Sequence, residues 1–227
     1  MNPLKRKGTL TSLQIDLLKA FSQIPDSHFF YLTGGTALSE FYLGHRRSFD
    51  LDFFTSQRDL VPHFSKIVEE GLRHQGYELD VTRRFASFVE FEAKRKEAGV
   101  VVHLAYDSPF RFEEPQVSEF GVKVNDYRDL VVDKLLTFFG RWKHRDAVDL
   151  HIILKTEPIV ELIKMAKQKD PGFDLYWFCI ALKEVEAFPD EIEKWPVDLL
   201  VELNAKDLKS HFLKLAHDIM VRVKESR

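Results

Sequence analysis

The sequence predicts an α+β protein, in which helices flank a mixed β-sheet and a helical lobe follows. In the first half, apolar runs of strand type alternate with helical apolar stripes, and glycine or proline separates them. From Asp126 onward the apolar spacing is helical. We therefore expect a first domain at residues 1–125 and a helical lobe at residues 126–227.

The first domain is predicted to open with a helix at residues 10–24, which Thr11 or Ser12 caps. A second helical stripe predicts a helix at residues 59–74. The predicted strands lie at residues 30–32, 49–54, 77–85, 88–93, 100–106 and 120–124. The lobe's predicted helices lie at residues 127–139, 146–154, 159–168, 173–188, 196–204 and 205–224.

Composition excludes several classes of protein. The net charge of -3 leaves no overall positive field to attract a nucleic acid, so any such contact needs a local patch. The single cysteine, Cys179, excludes an internal disulfide and fits a reducing compartment. Since there is also no signal peptide and no long apolar run, we expect a cytoplasmic protein without membrane contact.

A glycine turn follows the first predicted strand. Gly34 and Gly35 lack a Cβ, so the backbone there can turn sharply and approach a ligand closely. Thr36 is expected to cap a helix at residues 37–43, which Gly44 ends. Free N–H groups at the start of that helix predict a cradle for a phosphate.

Two aspartates occupy alternate positions of the next strand. Asp50 and Asp52 therefore share one face, and the opposite face, which points into the core, carries Phe49, Leu51 and Phe53. Adjacent carboxylates repel each other unless a cation pairs them, and Mg²⁺ prefers hard oxygen ligands. A phosphate cradle followed by an Asp-x-Asp predicts a site for a nucleoside triphosphate and its metal. Each motif alone is also typical of an ordinary turn or strand edge.

Three sequence blocks carry a family resemblance. They are Gly-Gly-Thr-Ala-Leu at residues 34–38, Arg-Arg-Ser at 46–48 and Asp-Leu-Asp-Phe-Phe at 50–54. With these blocks the chain resembles the AbiEii/AbiGii-type nucleotidyltransferases, a minimal branch of the polymerase-beta-like superfamily that includes many toxins of toxin–antitoxin or phage-defence pairs. The resemblance continues in Lys134 and in Arg-Asp-Ala-Val-Asp-Leu at residues 145–150, and it covers residues 25–155.

The resemblance implies a polymerase-beta-like sheet and an Mg²⁺- or Mn²⁺-dependent transfer of a nucleoside monophosphate from a nucleoside triphosphate. The implied acceptor is RNA such as tRNA, and a further implied partner is a cognate antitoxin protein. Asp50 and Asp52 are the expected metal ligands. The expected catalytic residues are Asp50, Asp52, His103, Lys134 and Asp149. The expected nucleotide-binding residues are Gly34, Gly35, Thr36, Arg47, Ser48 and Arg145.

One position departs from the resemblance. Enzymes of this superfamily usually carry a third carboxylate on the strand beside the Asp-x-Asp, and the matching position here is His103. This histidine either acts as a base or metal ligand, or is a half-buried strand residue of a weakened site. Glu90 and Glu92 on the preceding strand are alternative sources of the missing acid, although a solvated face suits them better.

Two functions other than nucleotidyl transfer to RNA stay open. The chain is either a nucleotide-binding module that has lost its activity or a transferase that modifies a partner protein.

Lys134 is expected to face the triphosphate, whereas a lone helical lysine is more often solvated. Arg145 and Asp149 are four residues apart, so they also suit an ordinary ion pair along one helix.

Overall fold

The computed structural model describes residues 3–225, with the side chains of the last helix described as far as Val221. The chain divides into two compact units, Met1–Leu130 and Val131–Arg227. The architecture is α+β, as predicted, and a seven-stranded mixed sheet lies in the first unit. The predicted division into domains at residue 125 stays a prediction.

The sheet contains both parallel and antiparallel neighbours. Its strands are β1 (Tyr31–Thr33), β2 (Leu51–Thr55), β3 (Glu78–Arg84), β4 (Phe88–Arg95), β5 (Ala98–Tyr106), β6 (Gln116–Val117) and β7 (Lys123–Val124). Their spatial order is β3-β4-β5-β2-β1-β7-β6. β2 is antiparallel to β1 but parallel to β5, and β3, β4 and β5 form an antiparallel meander. β2 thus lies between the glycine turn after β1 and the strand that carries His103.

Two helices pack on one face of the sheet. They are α1 (Ser12–Ser22) and α3 (Leu60–His74), and a capping box between Thr11 and Gln14 starts α1. The ring of Phe21 on α1 stacks on that of Phe53 on β2, with 3.7 Å between centroids. Because Phe53 faces these helices, its neighbour Asp52 lies on the opposite face of the sheet.

The helix after β1 begins earlier than predicted. α2 spans Gly34–Leu38 and continues as a π-helix over Ser39–Leu43, until Gly44 ends it with a φ of +65°. Thr36 therefore lies within the helix, and its hydroxyl donates a hydrogen bond to the backbone carbonyl of Asp50 (2.5 Å). The prediction of Thr36 as the helix cap is wrong, because the helical turn already includes both glycines.

The predicted alternation along β2 holds only inside the strand. Leu51 and Phe53 are buried, and Asp52 between them is half-buried. Phe49 is 55% exposed, so its predicted place in the core is wrong. The reason is that β2 begins at Leu51, which leaves Phe49 in the preceding loop, where the period of two does not apply.

Helices continue beyond the sheet. They are α4 (Tyr127–Arg141), α5 (His144–Ile153), α6 (Ile159–Lys169), α7 (Leu175–Lys183) and α8 (Ala205–Glu225). The helix predicted at residues 196–204 is absent from the described chain, because this stretch ends in Asn204, whose side chain accepts hydrogen bonds from the N–H groups of Lys206 and Asp207 and so caps α8. In the part of the chain that the structure describes, no helix combines the length and apolar character needed to cross a membrane.

Candidate active site

Asp52 and His103 lie side by side because their strands run parallel. The register of β2 and β5 sets Asp52 opposite His103, and Asp52 Oδ1 lies 2.7 Å from His103 Nδ1. Both side chains are half-buried, with 25% and 19% of their surface exposed. The predicted position of His103 beside the Asp-x-Asp is confirmed.

The second carboxylate oxygen of Asp52 rests against the glycine turn. Thr33 at the end of β1 pairs with Asp52, so the next residue, Gly34, passes directly beneath the carboxylate. A Cβ on Gly34 would lie 2.2 Å from Asp52 Oδ2, and the backbone has a φ of +72°, which favours glycine. The turn therefore needs glycine at this position in order to admit Asp52.

Asp50 lies just before β2, close to Asp52 in the chain. It is half-buried, and its charge acts on the His103 ring together with that of Asp52. Among the side chains that the structure describes, residues 3–221, no three of His, Cys, Asp or Glu are grouped to hold a metal ion. Mg²⁺ is usually bound through one or two carboxylates plus substrate phosphates, so this pair of aspartates fits a metal that is bound with a nucleotide.

Glu90 completes the surroundings of His103, although the sequence favoured a solvated face for it. The register of β4 and β5 sets Glu90 opposite His103, and Glu90 Oε2 lies 3.2 Å from His103 Nε2. The hydroxyl of Thr82 donates to Glu90 Oε1 (2.6 Å). Glu92 lies two residues away, where it contacts Lys94 instead. Of the two glutamates considered from the sequence, only Glu90 contacts His103.

The carboxylates around His103 raise its pKa. Burial lowers the pKa of His103, but the hydrogen bond and charge of Asp52, with the charges of Asp50 and Glu90, outweigh burial and raise the pKa above its ordinary value. The hydrogen bond from Thr82 holds the pKa of Glu90 below its ordinary value, and the positive charges beside it act in the same direction. An anionic Glu90 beside a readily protonated imidazole follows from both shifts.

Arg47 is the arginine of the basic loop that is predicted to bind the nucleotide, but the arginine that lies against the glycine turn is Arg46. A Cβ on Gly35 would lie 2.4 Å from Arg46 Nη2 and 2.9 Å from Ser48 Oγ. Arg46 is only 3% exposed, and its Nη1 donates to the backbone carbonyl of Arg47, whose side chain is exposed. Arg46 belongs to the same Arg-Arg-Ser block, but adjacent loop residues have no periodicity that tells which of them points inward.

Lys134 and Asp149 meet inside the second unit. Lys134 Nζ lies 2.8 Å from Asp149 Oδ2 and 3.5 Å from Asp146 Oδ1, and all three side chains are buried. Arg141 approaches Asp146 through two nitrogens, at 2.8 Å and 3.2 Å. Arg145, which lies on α5 together with Asp146 and Asp149, is half-buried. The sequence block therefore builds an ion-pair cluster in this unit, and the predicted catalytic and phosphate-binding roles of its members stay predictions.

Sequence comparison decides the family. The profile described as "Nucleotidyl transferase AbiEii toxin, Type IV TA system" matches residues 16–171. The chain belongs to this family. This AbiEii-family protein is thus an enzyme, a nucleotidyltransferase of a toxin family, and the predicted resemblance is confirmed. Membership implies a nucleoside triphosphate as substrate and an antitoxin as partner, and nucleotidyltransferases generally use a divalent metal.

Solved structures share the fold of this AbiEii-family enzyme. A Helicobacter pylori protein provisionally described as a nucleotidyltransferase matches with a TM-score of 0.60 and 18% identity, over 96% of this chain and 99% of its own. JHP933 from the same species matches with a TM-score of 0.56 and 18% identity, over 98% and 96%. MenT4, a nucleotidyltransferase toxin from Mycobacterium tuberculosis, matches with a TM-score of 0.57 and 17% identity, over 92% and 82%. A comparison with curated proteins gives no match.

Proposed function

We propose that this AbiEii-family enzyme is an Mg²⁺- or Mn²⁺-dependent toxin that transfers a nucleoside monophosphate from a nucleoside triphosphate to RNA, with tRNA as the expected acceptor. The observation that carries the proposal is the pair Asp50 and Asp52, whose charges both act on His103, with Asp52 held between Gly34 and His103. Carboxylates so placed suit a divalent metal that also binds phosphate oxygens. We also propose that residues 1–125 form the catalytic domain.

In the proposed reaction, an acceptor hydroxyl oxygen forms a bond to the α-phosphorus. The bond from the α-phosphorus to the bridging oxygen breaks, pyrophosphate leaves, and the hydroxyl proton passes to solvent. Asp50 and Asp52 would hold the metal, which when bound stabilises the charge on the attacking and leaving oxygens. Arg46 and Ser48, which lie against Gly35, are proposed to bind the phosphates at this turn.

The remaining predicted residues keep their proposed roles. Gly34, Gly35 and Thr36 would form the turn that receives the phosphates. Arg47 and Arg145 are proposed to offset phosphate charge. Lys134 and Asp149 are proposed to act as a pair, because their contact at 2.8 Å joins them in one cluster. Their separate contributions can be measured by substituting each in turn.

The proposed RNA acceptor rests on family membership rather than on a basic surface. Arg83, Arg84 and Lys94 on the β3–β4 hairpin each contact a glutamate, at distances of up to 3.8 Å. Such pairing reduces the positive field that a phosphate backbone needs. An acceptor recognised chiefly at its reacting end fits this distribution of charge better than one gripped along its backbone.

Nucleotidyl transfer can be tested directly with labelled substrate. Each α-³²P-labelled triphosphate is incubated with the enzyme, Mg²⁺ and total cellular RNA and protein, beside the Asp50→Asn/Asp52→Asn variant and an Asp80→Asn control at an exposed position of β3. We expect label on RNA with the wild type and the control, and none with the double variant or with EDTA.

Other patterns of label decide between the functions. Label on protein that depends on Asp50 and Asp52 would replace RNA by a protein acceptor. Nucleotide binding without any label, in a folded protein, would support an inactive binding module. Undiminished transfer by the double variant would refute the assignment of the site.

A further inference from the structure

A line of polar side chains crosses four neighbouring strands of the sheet. It runs from Asp52 on β2 through His103 on β5 and Glu90 on β4 to Thr82 on β3. The successive contacts are 2.7 Å, 3.2 Å and 2.6 Å long. These four residues are here called the polar line. Only its first member, Asp52, belongs to the proposed metal site.

Both ring nitrogens of His103 face carboxylate oxygens. Nδ1 lies beside Asp52 and Nε2 beside Glu90. Both ring nitrogens are thus within hydrogen-bond distance of a carboxylate, which leaves neither of them for a metal or an acceptor hydroxyl in this arrangement. The geometry fits a residue that positions Asp52 better than one that replaces a third carboxylate.

Asp52 is confined on two sides. Oδ1 contacts the His103 ring, and Oδ2 lies against Gly34. The space there is so small that a Cβ added to Gly34 would lie 2.2 Å from Oδ2. Loss of the His103 contact would allow the carboxylate to rotate away from Gly34. Partners that hold a metal-binding carboxylate in place commonly affect metal affinity and rate as strongly as some direct ligands.

Glu90 is itself well held. Thr82 donates to its Oε1, Arg83 Nε lies 3.8 Å from the same oxygen, and only 20% of the side chain is exposed. Its Oε2 is thereby left for His103. Glu92 points to the same face of β4 but lies opposite Val101, contacts Lys94 at 2.9 Å and has 36% of its side chain exposed.

We propose that Glu90 is a positioning residue of this enzyme, which through His103 holds the Asp52 carboxylate in the orientation that binds the metal. The proposal rests on the proposed function of Asp52 as a metal ligand. In this proposal, the polar line keeps the site of two carboxylates rigid, at the position where the superfamily usually has a third carboxylate.

The first test compares Glu90→Gln with Glu92→Gln, a matched control on the same strand. A glutamine has an oxygen and an N–H₂ group where Glu90 has two carboxylate oxygens, so at position 90 it can accept a hydrogen bond through that oxygen from only one of Thr82 and His103. We expect Glu90→Gln to weaken Mn²⁺ binding to the protein in the presence of a non-hydrolysable triphosphate analogue, measured by electron paramagnetic resonance, by about tenfold. We expect kcat to fall about 10–100-fold with little change in KM for the triphosphate, and Glu92→Gln to match the wild type.

A double-mutant cycle tests whether Glu90 acts through His103. In His103→Asn the amide N–H₂ can still donate to Asp52, but the link to Glu90 is cut. Adding Glu90→Gln to that variant should change Mn²⁺ affinity and kcat by less than about twofold, because coupled residues are not additive. An equal loss in both backgrounds would overturn the proposal.

The two measurements separate this proposal from the proposed function. Weaker Mn²⁺ binding by Glu90→Gln but not by Glu92→Gln supports the positioning role even if no acceptor is labelled. Normal Mn²⁺ binding and normal transfer by Glu90→Gln would overturn the positioning role and leave nucleotidyl transfer intact. A wild type that binds no Mn²⁺ even with the triphosphate analogue present would overturn both. Equal melting temperatures of the variants establish that each comparison is made on folded protein.

Discussion

Replacing Gly34 by alanine should separate the folding of this enzyme from its chemistry. A Cβ at this position would lie 2.2 Å from Asp52 Oδ2, whereas ordinary contacts of a Cβ begin near 3.4 Å. The Asp52 carboxylate must therefore move by about 1 Å, and a misplacement of that size can cost about 100-fold in rate. The same shift would break the 2.7 Å contact with His103.

The backbone makes a second, separable contribution. Gly34 has a φ of +72°, and a left-handed conformation costs an alanine about 1–2 kcal/mol. Gly76, which follows α3, has a φ of +82°, and a Cβ added there would have nothing within 4 Å. Gly76→Ala therefore has the same backbone cost without the clash, which makes it the matched control.

The assay combines urea unfolding with Mn²⁺ binding and nucleotidyl transfer. We expect both variants to lose about 1–2 kcal/mol of unfolding free energy. Gly34→Ala alone should lose about 100-fold in transfer and most of its Mn²⁺ affinity. If Gly34→Ala transferred nucleotide within about threefold of Gly76→Ala, the position of Asp52 against the turn would not matter for the chemistry, and the assignment of this site would be wrong.

Two further predictions concern the second unit. The Nδ1 atoms of His151 and His211 lie 3.2 Å apart. Burial, followed by the charge of His211, lowers the pKa of His151 to about 4. Burial also lowers the pKa of His211. Their stabilisation is complete above the unfolded pKa near 6.5 and is lost as the pH falls toward 4, so the unfolding free energy should drop by on the order of 2 kcal/mol across this range. Lys134→Met should lower the unfolding free energy by about 3 kcal/mol, because it leaves Asp149 and Asp146 as buried carboxylates without their lysine.

Exposed residues provide the controls for both predictions. The slope of stability against pH should flatten in His151→Gln/His211→Gln but not in His217→Gln, which changes an exposed histidine of α8. Lys164→Met on α6 changes an exposed lysine and should alter the unfolding free energy by less than about 0.5 kcal/mol. An unchanged slope in the double histidine variant, or a Lys134→Met protein as stable as Lys164→Met, would contradict the reasoning.

Local chemistry explains what could be predicted about the fold. The Thr11 cap, the stop at Gly44 and most of the helical stripes depend on residues close in sequence, and they are present in the structure. The errors are also local. Phe49 and Thr36 lie just outside or just inside the expected element, where one or two residues decide whether the side chain faces the core or a neighbouring carbonyl.

The sequence by itself determined the α+β class and the family, because these depend on short motifs and on the apolar period of each element. The metal-binding pair Asp50 and Asp52 also comes from a short motif, and it stays a prediction. Only the tertiary structure decided between Glu90 and Glu92, since both point to the same face of β4 and only the register with β5 sets one of them opposite His103. It likewise showed that Arg46, rather than Arg47, lies against Gly35, because packing determines which residue of an irregular loop points inward. The register of β4 with β5 depends on where the turn between them falls, and loop packing depends on residues far apart in the chain, so the apolar pattern of a single strand gives neither.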